Sequence, residues 1–192
     1  MRKVKYFVAN SLDGFIARPD GAVDWLFMDG TDYGMSGFFK SIDTMLLGRK
    51  TYEFALAHTG SSKSKTAKSG SSKSKPVKSK NPFAGFSTYV FSRTLKDAPD
   101  YGATLVSENA GEFVRELKKQ EGKDIWLMGG GGLARSLFAE GVVDEIGLNI
   151  HPLLLGAGLP LFPEIGRQID LELLDCKAHK NGCVQVSYRV KS

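Results

Sequence analysis

The residues best suited to chemistry in this sequence stand where apolar runs give way to helix-forming stretches. Gly129-Gly130-Gly131-Gly132 follows one such run, residues 125–128, and precedes a helical pattern over 133–140. Without Cβ atoms the backbone can come close to a ligand, and a helix start offers unpaired N–H groups to a pyrophosphate. The run is not a Gly-x-Gly-x-x-Gly fingerprint, nor a P-loop, since no Lys-Ser/Thr follows. Alone, it reads equally well as a flexible strand-to-helix turn. Gly48-Arg49-Lys50-Thr51 ends a second apolar run, and two cations beside helix amides favour an anionic group. Taken by itself, a capped helix with solvated charges explains it as simply. Ser92-Arg93-Thr94 ends a third run, where a hydroxyl and a guanidinium suit a phosphate monoester. Three such ends together point to a ligand, because open α/β sheets bind theirs beyond the carboxyl ends of the strands.

Placing those ends side by side needs a sheet with helical crossovers. Residues 4–9 read as a strand, 11–17 as a loop pivoting on Gly14, and Pro19-Asp20-Gly21 as a turn. Residues 32–41 fit a helix with Met35, Phe38 and Phe39 on one side. Residues 44–47 form a short strand buried on both faces, 51–58 a helix and 88–92 a strand. Asn109-Ala110-Gly111-Glu112 has the spacing of a capping box and opens a helix through Phe113, Val114 and Leu117. Residues 125–128 are a buried strand, the helix 133–140 is capped by Gly141, and 146–150 is a strand ending at His151-Pro152. Residues 171–179 and 184–190 flank Lys180-Asn181-Gly182, a hairpin signal. The pattern predicts an α/β fold with a mainly parallel central sheet and an antiparallel C-terminal hairpin at its edge.

A chain of 192 residues suits one such domain and leaves little room for a second, so 1–192 is read as a single unit. No apolar run approaches the roughly 18–20 residues that span a bilayer. The start, Met1-Arg2-Lys3, leads into a strand and not a signal peptide, so a cytoplasmic location is expected. The formal charge is +5, yet residues 61–80 hold seven lysines and no acid. Without them nineteen basic residues face twenty-one acidic ones, a net of −2, so a nucleic-acid-binding fold loses most of its support. That segment is nearly a tandem repeat, with seven of ten positions identical and no aromatic. It cannot bury enough apolar area to offset its ordering entropy. A low-complexity surface loop is expected over 60–82, with a basic tether for phosphate-rich partners as the alternative.

Cys176 and Cys183 flank Asn181-Gly182 and could approach across the hairpin, but without a secretion signal two reduced thiols are expected. None of His58, His151 and His179 stands at metal-ligand spacing with both cysteines, so no metal site is expected.

Ser11-Leu12-Asp13-Gly14-Phe15-Ile16-Ala17, Gly48-Arg49-Lys50-Thr51-Tyr52-Glu53, Val90-Phe91-Ser92-Arg93-Thr94 and Met128-Gly129-Gly130-Gly131 occur in the order of the dihydrofolate-reductase-like fold. Gly141-Val142-Val143-Asp144-Glu145-Ile146, and the stretch from His151-Pro152-Leu153 to Pro160-Leu161-Phe162, more closely resemble the C-terminal reductase domain of the bifunctional riboflavin-biosynthesis deaminase-reductase and its stand-alone relatives. The resemblance covers nearly the whole chain outside 60–82. It implies a three-layer dihydrofolate-reductase-like fold, NADPH as cofactor, and a homodimer with 153–161 as a contact surface. By resemblance, Ala9, Phe15 and Ile16 line the nicotinamide side, with the Gly14 loop closing over it. Gly48, Arg49, Lys50 and Thr51 hold the pyrophosphate, and Gly130, Gly131, Gly132 and Leu133 complete its cradle. Ser92 and Arg93 meet the adenosine 2′-phosphate, and Ser107 lies near the adenine.

Asp32, sixteen residues before Gly48, matches the acidic residue that binds the pterin in dihydrofolate reductases. A carboxylate there could bond an aminopyrimidine edge and favour its protonation. It could equally be a helix N-terminal acid stabilised by the dipole. Tyr33 is a neighbouring candidate for shaping the substrate pocket. The His-x-Glu and Pro-Cys-x-x-Cys motifs of the zinc deaminase half are absent, and no residue stands for the folate-binding arginine, so the resemblance reaches the reductase half only.

The expected activity is hydride transfer from NADPH to a small substrate of the 5-amino-6-(5-phosphoribosylamino)uracil type. The alternatives are a nucleotide-binding protein without turnover and an interaction module acting through the basic loop.

Overall fold

The computed structural model describes residues 1–58, 81–96, 101–162 and 164–191. The Ser/Lys segment lies outside them, and with it the expectation of a surface loop over 60–82, apart from its last residues Asn81 and Pro82. In chain order the elements are β1 (Val4–Ser11), β2 (Phe15–Ala17), α1 (Met35–Ser41), β3 (Ile42–Gly48), α2 (Arg49–His58), β4 (Ser87–Phe91) and β5 (Thr104–Val106). These are followed by α3 (Ala110–Lys119), β6 (Asp124–Gly129), α4 (Gly131–Ala139), β7 (Glu145–His151), β8 (Leu159–Pro160), β9 (Leu171–Ala178) and β10 (Val184–Val190). The main sheet has the order β5-β4-β3-β6-β1-β7-β10-β9. Its first six strands are parallel, and the β9–β10 hairpin closes it in antiparallel fashion through β7.

The central strands carry apolar side chains on both faces, as strands covered by helices on each side must. In β1, Val4 and Tyr6 join one core while Phe7 joins the other; in β3, Leu46 is opposed to Met45 and Leu47; in β6, Ile125 and Leu127 are opposed to Trp126. Helices α3 and α4 cover the first face with Val114, Leu117, Leu133, Leu137 and Phe138. Helices α1 and α2 cover the second with Phe38 and Tyr52. Phe38 stacks on Phe7 at a centroid distance of 4.5 Å and meets Trp126 edge-on at 5.4 Å, which fixes α1 over the middle of the sheet. The result is the expected three-layer α/β architecture.

Three local differences bear on the site. Helix α1 begins at Met35 and not at Asp32, because Gly34 takes a left-handed conformation (φ 76°, ψ 4°) that a helix cannot include. The cysteines do not oppose each other: Cys176 pairs with Val186, whereas the His179 N–H donates to the Cys183 carbonyl at 2.8 Å. Both thiols are free, Cys176 exposed and Cys183 buried. Strands β2, β5 and β8 escape the sequence pattern, since two or three residues are too few to show alternation. Among the described residues, no helix is long and apolar enough to cross a membrane.

Candidate active site

The sheet order puts the carboxyl ends of β5, β4, β3, β6, β1 and β7 in one continuous row. Ser107, Ser92-Arg93, Gly48–Thr51, Gly129–Leu133 and Ala9 therefore follow one another along a single edge. The three phosphate-suited ends noted in the sequence are immediate neighbours, with Gly48 in register with Phe91 and Leu47 in register with Gly129.

At the middle of this row two backbones nearly touch. Gly129 and Gly130 have φ of 152° and 104°, which L side chains rarely adopt. A Cβ on Gly130 would also lie 3.0 Å from the Gly48 Cα and 3.1 Å from its nitrogen. Gly131 and Gly132 are different: a Cβ on either would meet nothing within 4 Å. The chain's own packing does not demand glycine there, so these two leave open space at the start of α4. No side chain caps that helix and no acid stands in its first turn. The Thr51 hydroxyl faces the same corner, 3.5 Å from where a Gly130 Cβ would be. Leu133 is buried in the core, so only its backbone is available to the edge.

Arg49 ties the two neighbouring ends together. Its Nε donates to Glu53 Oε1 at 2.7 Å and a terminal nitrogen donates to Thr94 Oγ1 at 2.9 Å. Ser92 Oγ accepts the Thr94 and Leu95 amides at 3.2 and 3.1 Å, which curls the chain beyond β4. Lys50 and Arg93 are exposed and make no ion pair among the described residues, so two cations remain available beside the open glycines.

Toward β1 the Gly14 loop is closed by its own hydrogen bonds. Ser11 is fully buried; its hydroxyl donates to Asp13 Oδ1 at 2.6 Å and accepts the Phe15 amide at 3.0 Å. Asp13 in turn accepts the Leu155 and Gly156 amides at 3.1 and 2.7 Å, and Gly14 O accepts the Leu161 amide at 2.8 Å. The Ser11 hydroxyl, followed by these amides, holds the Asp13 carboxyl below the usual carboxylate range. Phe15 and Ile16 lie half-buried in β2, and Ile16 packs on the core beneath α4.

Asp32 is exposed just ahead of α1, where its Oδ1 accepts the Ser36 amide at 3.2 Å. That amide lowers its pKa, so the group is an ionised acceptor near neutral pH. Tyr33 is half-buried and burial raises its pKa. Its hydroxyl accepts from Asn181 Nδ2 at 2.6 Å, and its ring meets His151 and His179 at centroid distances of 5.9 and 5.1 Å.

Sequence reasoning assigns no role to Asn149, His151 or Trp25, which are all buried at the β7 end of the row. In β7 the apolar positions Ile146, Leu148 and Ile150 face the α3–α4 core, so the alternating Asn149 and His151 look like a solvent face in sequence alone. They are buried because the segment between Gly21 and Gly34 folds across them. It lays Trp25 and Phe27 against the His151 ring at 5.2 and 5.1 Å.

Comparison with known proteins agrees with this arrangement. Residues 2–185 match the RibD C-terminal domain family. The Bacillus subtilis (strain 168) protein YyaP is 39% identical over 187 residues, spanning 97% of this chain and 94% of its own. A protein of Shewanella sp. PV-4 ascribed to riboflavin biosynthesis has the same fold, with a TM-score of 0.79, 23% identity and full coverage of both chains. Dihydrofolate reductase from Enterococcus faecalis, solved with NADP(H), superposes with a TM-score of 0.63 at 18% identity, covering 99% of this chain and 97% of that one. A match over almost the full length, joined to a dihydrofolate-reductase-like sheet with its glycine-lined edge, makes this chain a member of the RibD C-terminal domain family.

Proposed function

We propose that the protein is an NADPH-dependent reductase that lays the dinucleotide along the carboxyl edge of its sheet. One observation carries the reading: Gly129 and Gly130 press against Gly48, while Gly131 and Gly132 leave open space at the uncapped start of α4. Unpartnered helix amides and nearby cations bind pyrophosphate well, and here they come without a protein side chain in the way. Membership of a reductase family and the dihydrofolate-reductase fold support the same reading.

The cofactor, when bound, supplies hydride from its nicotinamide; the chain's residues orient and shield it. Gly48, Arg49, Lys50 and Thr51 face the pyrophosphate from one side, and the backbone of Gly130, Gly131, Gly132 and Leu133 from the other. Ser92 and Arg93 serve the 2′-phosphate, and Ser107 stands beyond them toward the adenine. Ala9, Phe15, Ile16 and the Gly14 loop border the nicotinamide end. Asp32, ionised by its helix-start amide, takes hydrogen bonds from the substrate and raises the proton affinity of the ring it holds, with Tyr33 shaping the pocket beside it. The substrate class is a small heterocyclic or ribosylamino compound of the 5-amino-6-(5-phosphoribosylamino)uracil type. A cytoplasmic homodimer belongs to the same reading, supported by Leu154 and Leu159, which are 71% and 40% exposed on one segment.

Calorimetric titration with NADPH and NADH tests it. NADPH should bind more tightly, and Arg93→Ala should remove about 1.5–3 kcal/mol of that preference, the usual strength of a charge-assisted hydrogen bond. Absence of binding to either nucleotide would overturn the assignment.

A further inference from the structure

Among the described residues, five buried side-chain polar atoms have no hydrogen-bond partner: Asn10 Oδ1, Trp25 Nε1, Asn149 Oδ1, His151 Nε2 and His179 Nε2. Leaving such an atom unpaired is costly, and folded chains keep few of them. Here Trp25, Asn149 and His151 cluster at one place, the β7 end of the candidate site.

The register between β1 and β7 shows what lies there. Phe7 pairs with Gly147, Ala9 with Asn149, and Ser11 with His151. A Cβ on Gly147 would run into the Phe7 ring, so the paired residues share the face that α1 covers. Phe38 of α1 stacks on Phe7, and the strap between Gly21 and Gly34 covers His151 with Trp25, Phe27 and Tyr33. Between these two covers stands Ala9, a small side chain beside the unpaired Asn149 oxygen. Asn149 and His151 are 5% and 2% exposed, so neither is satisfied by bulk solvent.

The polarity of the cluster is defined. His151 Nδ1 lies 3.2 Å from the Asn149 carbonyl oxygen. A carbonyl only accepts, so Nδ1 donates, and in that tautomer Nε2 presents a lone pair. Asn149 Oδ1 is an acceptor and Trp25 Nε1 is a donor. Two acceptors and one donor, all unmet, complement a ligand edge with two N–H groups and one carbonyl.

We infer that Asn149 and His151 determine substrate specificity in the reductase proposed above. They read, together with Trp25, the edge of a flat ring that seats against Ala9 when the strap lifts. The strap is held from outside by a few side-chain hydrogen bonds that can release: Asn181 Nδ2 donates to both Asp29 Oδ2 at 2.7 Å and the Tyr33 hydroxyl at 2.6 Å, and Arg18 Nε donates to Asp24 Oδ1 at 2.6 Å. Met28 on the same segment is 92% exposed, so no described residue covers the strap at that position. Because Trp25 belongs to both the strap and the recognition edge, ligand entry must change its surroundings.

The chain has two tryptophans, and fluorine NMR of protein labelled with 5-fluorotryptophan resolves them, with Trp126→Phe assigning the pair. The labelled protein is titrated with 5-aminouracil and, separately, with 1,3-dimethyluracil, whose ring nitrogens carry no hydrogen. 5-Aminouracil should shift the Trp25 resonance and bind at least tenfold more tightly than the dimethylated ring. Asn149→Leu, similar in size but without the acceptor, should erase that preference. Equal binding of the two pyrimidines, or an unmoved Trp25 resonance, overturns the inference, as does a preference unchanged in Asn149→Leu. If Asn149→Leu does not fold, the two ligands on the unsubstituted chain decide the matter. A parallel NADPH titration separates the two proposals. NADPH binding without any pyrimidine response removes the recognition edge and leaves the reductase reading standing, whereas no response to either compound removes both.

Discussion

Helices α3 and α4 lie side by side on one face of the sheet and are joined by Arg115, which donates to the Glu140 carbonyl at 2.9 Å and to its carboxylate at 2.7 Å. Their amino ends are finished in opposite ways. Helix α3 supplies its own acceptor: Asn109 Oδ1 takes the Gly111 and Glu112 amides at 2.9 and 3.2 Å, and Glu112 adds a negative charge to the first turn. Helix α4 has Gly130 where α3 has its cap and Leu133 where α3 has its acid, with Gly131 and Gly132 between them. A helix start that only has to be stable recruits oxygen from its own sequence. One that forgoes both devices, at a sheet edge flanked by two cations that form no ion pair among the described residues, is suited to an anion from outside the chain.

The comparison breaks most severely at Gly130. In Gly130→Ala the residue must adopt a φ near 104° with a Cβ about to touch Gly48, both of them backbone constraints with no flexible side chain to yield. A strained position of this kind costs on the order of 2 kcal/mol. Moving Gly48 away to relieve it would also spread the two sides of the proposed pyrophosphate site. Both the melting temperature and the NADPH affinity should fall, the latter by more than about tenfold, and calorimetry reads both. Retention of full affinity would separate the glycine contact from the cofactor site.

Gly131→Asp sharpens the comparison, because its two effects have opposite signs. The new side chain has open space, and an acid in the first turn stabilises a helix by about 0.3–1 kcal/mol. Helix α4 would then resemble α3, and the protein should melt slightly higher. The same carboxylate would repel the pyrophosphate, so NADPH binding should weaken by about tenfold while stability rises. A stabilised protein with unaltered NADPH affinity would show that the start of α4 does not hold phosphate.

This end of the candidate site was legible because what suggests its chemistry is residue identity: four glycines, Arg49, Lys50 and Arg93 keep their types in any register. The parallel sheet and terminal hairpin were legible for a similar reason, since β1, β3 and β6 are apolar on both faces and Asn181-Gly182 marks the turn. The β7 end was not. Asn149 and His151 alternate with Leu148 and Ile150 in the strand pattern, and their burial depends on a strap more than a hundred residues away in sequence. Asp32 falls between the two cases. Its position was legible, but only the left-handed Gly34 shows that it stands outside α1 and reaches the Ser36 amide from there.

The smallest expected effect lies at the capped helix, and it controls for the others. Asn109→Ala removes the acceptor of two amides and leaves the rest of α3 unchanged, so it should cost about 1 kcal/mol. In a chain of this length that corresponds to a fall in melting temperature of about 2–4 °C. NADPH affinity should not change, since the proposed site takes no phosphate ligand from β5 or the α3 start and the helix axis is held by Val114 and Leu117 in the core. If Asn109→Ala lowered stability and also weakened NADPH as much as Gly131→Asp, loss of affinity would track general loosening of this face of the sheet. The bare start of α4 would then have no special claim on the cofactor. A loss confined to stability would leave that claim resting on charge and geometry at α4 alone.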